Sequence, residues 1–255
     1  MSNLIASDIL YSYSNGPVLN SLSIELIDGE ITCLIGESGA GKTTLLRIIA
    51  GLEKQISGEI RIGNQVISND DIFIDPHKRQ VGLVVQERAL FPHLKIIDNI
   101  CFGLDDTKIN KKSRAKYLME IFKIEKYENS YPHEISSGEQ QRVSLARALA
   151  PSPKILLMDE PFSSIDRALK FSLRQDTKKI LKDEEITTLM VSHDFNDALE
   201  VADKLAIIDE GKIVQIGQPR DVVLNPINNQ IKKQFLCETG DLIYWQSKID
   251  EKNNL

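Results

Sequence analysis

Gly36-Glu37-Ser38-Gly39-Ala40-Gly41-Lys42-Thr43 follows directly on the apolar run Ile31-Thr32-Cys33-Leu34-Ile35. After it, Thr44-Leu45-Leu46-Arg47-Ile48-Ile49-Ala50 has helical spacing and stops at Gly51. The stretch reads as strand, glycine-rich loop, helix, and the loop satisfies G-x-x-x-x-G-K-[ST] in the context that motif requires. Three glycines let the backbone wrap closely around phosphates, with N–H groups turned inward and the helix N-terminus adding positive potential. Gly36, Glu37, Ser38, Gly39, Ala40, Gly41, Lys42, Thr43 and Thr44 are thus candidate nucleotide-binding residues. Lys42 is expected to reach the β- and γ-phosphates, and Thr43 to offer its hydroxyl to Mg2+. A chance lysine in a glycine-rich turn would leave the agreement of pattern and context unexplained.

Further on, Ile155-Leu156-Leu157-Met158-Asp159-Glu160 places two carboxylates at the end of a buried strand, where the ligands of open α/β sheets collect. Paired acids there are costly unless they are used. Asp159 is placed to hold Mg2+, directly or through water, and Glu160 to act as general base on the water that attacks the γ-phosphate. Capping of the following helix is the alternative that these two residues alone leave open.

The chain has 255 residues, 42% of them hydrophobic, and a formal charge of −6. A chain of this length buries roughly 70–75% of its unfolded surface, enough for a large core without disulfides or structural metal. Its negative balance argues against a general affinity for nucleic acid or anionic lipid, so a polyanion must be gripped locally. Cys33, Cys101 and Cys237 are far apart and lack metal-site spacing, and read as reduced thiols of a cytosolic protein. No apolar run approaches the ~18–20 residues of a membrane span, and MSNLIASDIL lacks the features of a signal peptide.

Around the loop, Leu4 to Tyr13 and LSIELIDGEITCLIG are β-rich, and Asp28-Gly29 predicts a hairpin between two strands. A second hairpin is expected at Gly63-Asn64, a buried strand at Val81 to Gln86, and a last hairpin in KLAIIDEGKIVQIG. Between Arg88 and Ile135 the composition turns Lys- and Glu-rich. Tyr117, Leu118, Ile121 and Phe122 fall at helical spacing within 111–126, so an inserted helical lobe is expected. Helices at 139–150, 167–181 and 195–201 alternate with strands at 155–159 and 187–192, and DVVLNP reads as a short helix. That alternation implies a mainly parallel sheet covered on both faces.

With both motifs in place, the chain resembles an ATP-binding cassette (ABC) ATPase, the nucleotide-binding subunit of a transporter, over about residues 4 to 225. The resemblance implies a P-loop NTPase core of α/β class, with an N-terminal antiparallel β-subdomain and an inserted helical subdomain at about 88–135. The ATPase domain is expected to span 1–240, with a tail at 241–255. Gln86 resembles the glutamine that senses Mg2+ and the attacking water and links the site to the membrane subunits. Ile135-Ser136-Ser137-Gly138-Glu139-Gln140-Gln141-Arg142 resembles the signature loop, and Ser163-Ser164-Ile165-Asp166 the D-loop. Ser192-His193-Asp194 matches the switch-histidine motif, with His193 implied to contact the γ-phosphate, and Tyr13 sits where the family stacks an aromatic ring on adenine.

The signature departs from the usual Leu-Ser-Gly-Gly-Gln: Ile135 replaces Leu, Ser137 the first Gly and Glu139 the Gln. In the family this loop opens a helix and closes over the γ-phosphate held by a partner subunit. Ser137 keeps the amide but adds a Cβ, and Glu139 is expected to put a negative charge near the loop and lower the affinity of the sandwich, while Ser136, Gly138 and the helix are retained. The resemblance further implies a head-to-tail dimer, homomeric or heteromeric, that closes on two ATP, is reopened by hydrolysis and drives integral membrane permease subunits.

Asp159-Glu160-Pro161-Phe162-Ser163, Ala89 to Leu94 and Asn99 to Leu104 look most like the importer branch for ferric iron, polyamines, sulfate, molybdate or maltose. That implies a peripheral protein of the cytoplasmic face of the cell membrane. Residues 226–255, including Trp245, are too few for the regulatory β-domain of many such ATPases. Lys108, Lys111, Lys112, Arg114 and Lys116 form a basic run that reads as a solvated helix face or as a contact for headgroups or membrane subunits. A soluble cassette ATPase acting on DNA or ribosomes, and a regulatory switch that binds nucleotide without useful turnover, are the competing readings.

Overall fold

Residue alternation builds the first sheet. Leu4, Ala6, Ile9 and Tyr11 of strand β1 (Leu4–Tyr13) are buried, and the alternation slips by one residue where a bulge at Asp8 (φ 52°) interrupts the pairing. β1 pairs antiparallel with β2 (Gly16–Leu26) and β4 (Ser57–Ile62), and β4 with β5 (Gln65–Ser68), in the order β2-β1-β4-β5. The second sheet holds β3 (Ile31–Ile35), β6 (Val81–Val84), β7 (Ile155–Asp159), β8 (Thr187–Val191), β9 (Lys204–Asp209) and β10 (Lys212–Gly217). Its order is β10-β9-β3-β8-β7-β6, all neighbours parallel except β10, which returns antiparallel on β9. This computed structural model describes residues 3–86, 89–104, 111–163, 165–229 and 231–232. Arg88, Lys108, Ser164, Cys237, Trp245 and the tail 241–255 lie outside them.

Two sequence expectations about strands need correction. Asp28-Gly29 makes a turn, with the Glu30 N–H donating to the Ile27 carbonyl at 3.0 Å, but not a hairpin. Both edges of β3 are taken by β8 and β9, so β2 cannot pair with it and the turn passes the chain from one sheet to the other. The hairpin of this region joins β1 to β2, pairing Tyr13 with Gly16. The strand foreseen at Val81 to Gln86 is shorter and less buried. β6 forms one edge of its sheet, only Val84 of its four residues is buried, and Gln86 lies exposed beyond it. The hairpins at Gly63-Asn64 and between β9 and β10 form as expected.

The helices are α1 (Lys42–Ala50), α2 (Ile96–Cys101), α3 (Lys111–Ile121), α4 (Ser137–Leu149), α5 (Arg167–Asp183), α6 (Phe195–Val201) and α7 (Pro219–Leu224). α2 was not foreseen. Its fully buried Asn99 accepts the Phe91 N–H at 2.8 Å and donates to the Phe91 and Leu94 carbonyls at 3.1 and 3.0 Å, pinning the loop before it. α3 stops short of the expected span because Lys123 takes a left-handed φ of 57°. Leu118, Met119 and Phe122 are buried, whereas Tyr117 faces outward under the Arg114 guanidinium. Arg114 leaves the basic run to bind Glu184 beyond α5, at 2.9 and 2.7 Å.

Alternate residues of one strand serve different cores. Ile155 and Leu157 of β7 face α1 and the antiparallel sheet, with Leu34, Leu189, Val191 and Ala206. Leu156 and Met158 face the remaining helices, with Cys33, Met190, Leu205 and Ile207. Full cover explains why β3 and β8 are buried at every residue and β7 at every residue but Asp159.

Arg79 closes the far end of α1. It is 2% exposed, donating to the Ile48, Ile49 and Ile74 carbonyls at 2.9, 3.0 and 2.7 Å, with its guanidinium over the Phe73 ring. Burial pulls its pKa down to about 10. Gly51 (φ 82°) must be glycine here, because a Cβ would lie 2.5 Å from Arg79 Nε. Replacing Arg79 with alanine strips the helix end of these bonds and opens a cavity. The expected loss is about 2–4 kcal/mol in urea denaturation.

Candidate functional site

β3 delivers the chain to the C-terminal edge of the parallel sheet. There Gly36 packs so tightly on β9 that a Cβ would sit 2.3 Å from the Ile208 carbonyl oxygen. Gly39 and Gly41 have φ of 86° and 100°, and Gly41 caps α1 with no side-chain hydrogen bond and no acidic residue in the first turn. A helix start of that kind keeps its N–H groups and positive end for an anion. Lys42 arches back over the loop, its ammonium donating to the Gly36 and Glu37 carbonyls at 2.7 and 2.9 Å. Thr43 donates its hydroxyl to Asp159 Oδ1 at 3.2 Å, and Thr44 turns inward and is buried.

Asp159 ends β7 half-buried. Burial raises its carboxyl above the usual range, and the Thr43 hydroxyl, Arg47 and Lys42 offset this only in part. Glu160 follows with φ 50°, a conformation that costs a non-glycine residue roughly 1–3 kcal/mol and concentrates at functional sites. Its N–H is tied to the Val191 carbonyl at 3.0 Å and its own carbonyl accepts the Ser163 hydroxyl at 3.0 Å. So held, the Glu160 carboxylate lies 2.7 Å from His193 Nδ1. The His193 side chain is otherwise open to solvent, 64% exposed. The ends of β3, β7 and β8 thus bring together Lys42, Thr43, Asp159, Glu160 and His193. Gln86 stands past the end of β6, the strand beside β7. Tyr13 ends β1, 40% exposed, edge-on to Tyr11 at 5.0 Å.

The residues Ser136 to Glu139 form a second group at the start of α4. Ser136 is the N-cap, and its N–H and hydroxyl donate to Glu139 Oε2 at 2.8 and 2.7 Å, a capping box. The other Glu139 oxygen accepts the Tyr127 hydroxyl, with Lys126 beside it. Burial would raise this carboxyl, but the bonds from Tyr127 and Ser136 win and hold it below its usual range. The charge expected near the loop is held by Ser136 and Tyr127. Gly138 is buried, and the cleft alongside is lined by Lys123, Lys126, Arg142, Ile165 and Leu169.

Tyr127 escaped the sequence reading, as did a buried cluster around Arg174 on α5. Asp194 and Asp197, three residues apart after a strand, were the available signal for that cluster. Among the described residues no group of three or more His, Cys, Asp or Glu could hold a metal, and no helix is long and apolar enough to cross a membrane.

Residues 19–163 match the sequence profile of the ABC transporter family. The chain belongs to that family. It is 39% identical over 240 residues to the "Fe(3+) ions import ATP-binding protein FbpC" of Serratia marcescens, and 42% identical over 230 residues to "FbpC 2" of Haemophilus influenzae. It is 38% identical over 229 residues to the "Probable sulfate/thiosulfate import ATP-binding protein CysA" of Chlorella vulgaris. These alignments cover 94%, 89% and 89% of this chain, and 69%, 64% and 95% of the three relatives. Among solved structures, the dimeric post-hydrolysis state of the ATP-binding cassette MJ0796 bound to ADP and Pi superposes with a TM-score of 0.74 at 28% identity. It covers 85% of this chain and 99% of that one. A nucleotide-free ATP-binding cassette from an ABC transporter gives 0.79 at 22% identity, covering 92% and 99%, and shows the fold alone. As an ABC transporter ATPase, the chain has the antiparallel sheet, mostly parallel sheet and helices of such cassettes.

Replacing Glu139 with alanine in this ABC subunit removes the capping box and is expected to cost about 1 kcal/mol in thermal denaturation. Because the folded carboxyl is held below its usual 4.5, that contribution is complete at pH 7. It fades only as pH falls through the lowered folded value, so the two proteins converge in stability in strong acid.

Proposed function

We propose that this subunit powers import: two cassettes close head-to-tail over two ATP, and hydrolysis reopens them against permease subunits at the cytoplasmic face of the membrane. The carrying observation is the 2.7 Å contact between Glu160 and His193 at the sheet edge that also bears Lys42 and Asp159. It sets a base and its orienting partner beside a phosphate cradle. In this reading Tyr13 stacks on adenine, and the loop from Gly36 to Thr44 wraps the phosphates, with Lys42 exchanging its two carbonyl contacts for phosphate oxygens. Glu160 takes a proton from water as that oxygen attacks the γ-phosphorus; the bond from phosphorus to the bridging oxygen breaks, and ADP leaves with its charge. With Nδ1 of His193 on Glu160, the other ring nitrogen serves the γ-phosphate.

The Thr43 hydroxyl and the Asp159 carboxylate are adjacent hard oxygen donors, and the burial that raises the Asp159 carboxyl gives it reason to seek a cation. They fit Mg2+, which takes one or two protein oxygens and completes its shell with phosphates and water. Bound there, Mg2+ would neutralise charge on the β- and γ-phosphates, with Gln86 near its waters. Ser136, Ser137 and Gly138 are assigned to the partner's nucleotide, with Glu139 holding the start of α4 that presents them, an assignment that presupposes a dimer. The names of the MJ0796 structures describe that cassette as dimeric. The names of the FbpC and CysA relatives support import and leave the solute open between ferric iron and sulfate.

Lys42→Ala, or chelation of Mg2+ with EDTA, is expected to lower steady-state ATP turnover at least about 100-fold. Glu160→Gln with ATP and Mg2+ is expected to sediment as a dimer, whereas the same variant with ADP stays monomeric. Persistence of the monomer with ATP, even beside copurifying membrane subunits, would overturn the closure mechanism.

A further inference from the structure

Arg174 sits on the buried side of α5, 5% exposed, with three carboxylates around it. Its Nε donates to Asp197 Oδ1 at 2.7 Å, Nη2 to Asp194 Oδ2 at 2.8 Å, and Nη1 to Glu200 Oε2 at 3.4 Å. The second Asp197 oxygen accepts the Ser192 hydroxyl, and Ser192 Oγ accepts the Asp194 N–H at 3.0 Å. Ser192 and Asp194 are the two neighbours of His193. The Ser192 N–H donates to the Leu34 carbonyl at 3.2 Å, in the strand that delivers the phosphate loop. The Arg174 guanidinium also lies 5.9 Å from the ring centroid of Phe162, two residues after Glu160.

Stabilisation of α6 does not call for this arrangement. Asp194 already caps that helix, accepting the Asn196 N–H at 2.9 Å. Burying one cation among three carboxylates is a poor route to stability, since well-packed apolar groups often serve as well or better. What the network does is fix the backbone on both sides of a histidine whose own side chain is largely in solvent. It does so from a residue whose guanidinium also lies over the ring of Phe162, two residues after Glu160. We propose that Arg174 is a positioning residue for hydrolysis, setting the His193–Glu160 pair through Asp197 and Ser192. The inference rests on the roles given above to Glu160 and His193.

The test is a double-mutant cycle on the purified chain, with turnover followed by release of 32P-phosphate so that slow rates are resolved. Arg174→Lys keeps a charge but loses the planar fork. It is expected to lower kcat about 10- to 100-fold, as a small misplacement does, with KM for ATP nearly unchanged. In a His193→Ala background the same change is expected to have no further effect, because the residue it positions is gone. Asp197→Asn, which keeps the shape of the side chain, is expected to behave alike and serves if Arg174→Lys does not fold. Full additivity with His193→Ala overturns the proposal, as does wild-type kcat in both folded variants. So does a kcat loss that merely tracks the folded fraction on thermal melting. If His193→Ala itself keeps wild-type kcat, the assigned role of His193 falls first and the positioning role with it. Additivity on top of a slow His193→Ala enzyme removes the positioning role alone.

Discussion

The site hangs from β3, whose two hydrogen-bonding edges are both occupied, by β8 and β9. A strand so confined can release the chain only at its end, and the Cβ-free Gly36 lets it turn there against the β9 carbonyl. β7 and β8 run parallel to β3, so they end on the same side, and Asp159, Glu160 and His193 emerge beside Lys42 without any long loop to carry them. The chemistry is thereby placed by strand direction. Side chains then refine it: the strained backbone of Glu160 is clamped by Val191 and Ser163, and the Thr43 hydroxyl spans from α1 to β7.

Charge is handled by local partners rather than by distance. Asp159 has one hydroxyl partner and the charges of Arg47 and Lys42, which offset its burial only in part and suit an oxygen donor for a cation. Glu139, by contrast, is saturated by Ser136 and Tyr127, so a substitution that looks hostile to a phosphate in the sequence becomes a helix cap in the fold. The two carboxylates differ in what was built around them. Only the first keeps capacity for another ligand.

The phosphate loop, the Asp159-Glu160 strand end and the order of the later motifs were legible because their signals are local: glycine spacing, an apolar run, a following helix. The hairpin assigned to Asp28-Gly29 failed because a turn dipeptide reports the bend and not which edges are free, and the edges of β3 are filled by strands more than a hundred residues away. α2 was hidden for a related reason: six residues give too little periodicity, and its main constraint is one asparagine bonded to a loop. The capping box at Ser136 has the spacing of a Ser-x-x-Glu signal, whereas the bond from Tyr127 to the other Glu139 oxygen depends on the fold. Of the Arg174 cluster only the spacing of Asp194 and Asp197 was legible, because its members come from α5 and α6 and meet only after β8 has been threaded between them.

The sorting of alternate side chains in β7 into two packed regions has a consequence for how such a subunit can change over time. Leu156 and Leu157 are adjacent in the chain yet belong to separate neighbourhoods divided by the sheet. Drift on the side of α2 to α7 meets a wall of backbone hydrogen bonds before it reaches α1. A change of volume at Leu156 is therefore felt among α2 to α7 and one at Leu157 around α1, so chain neighbours answer to different packing.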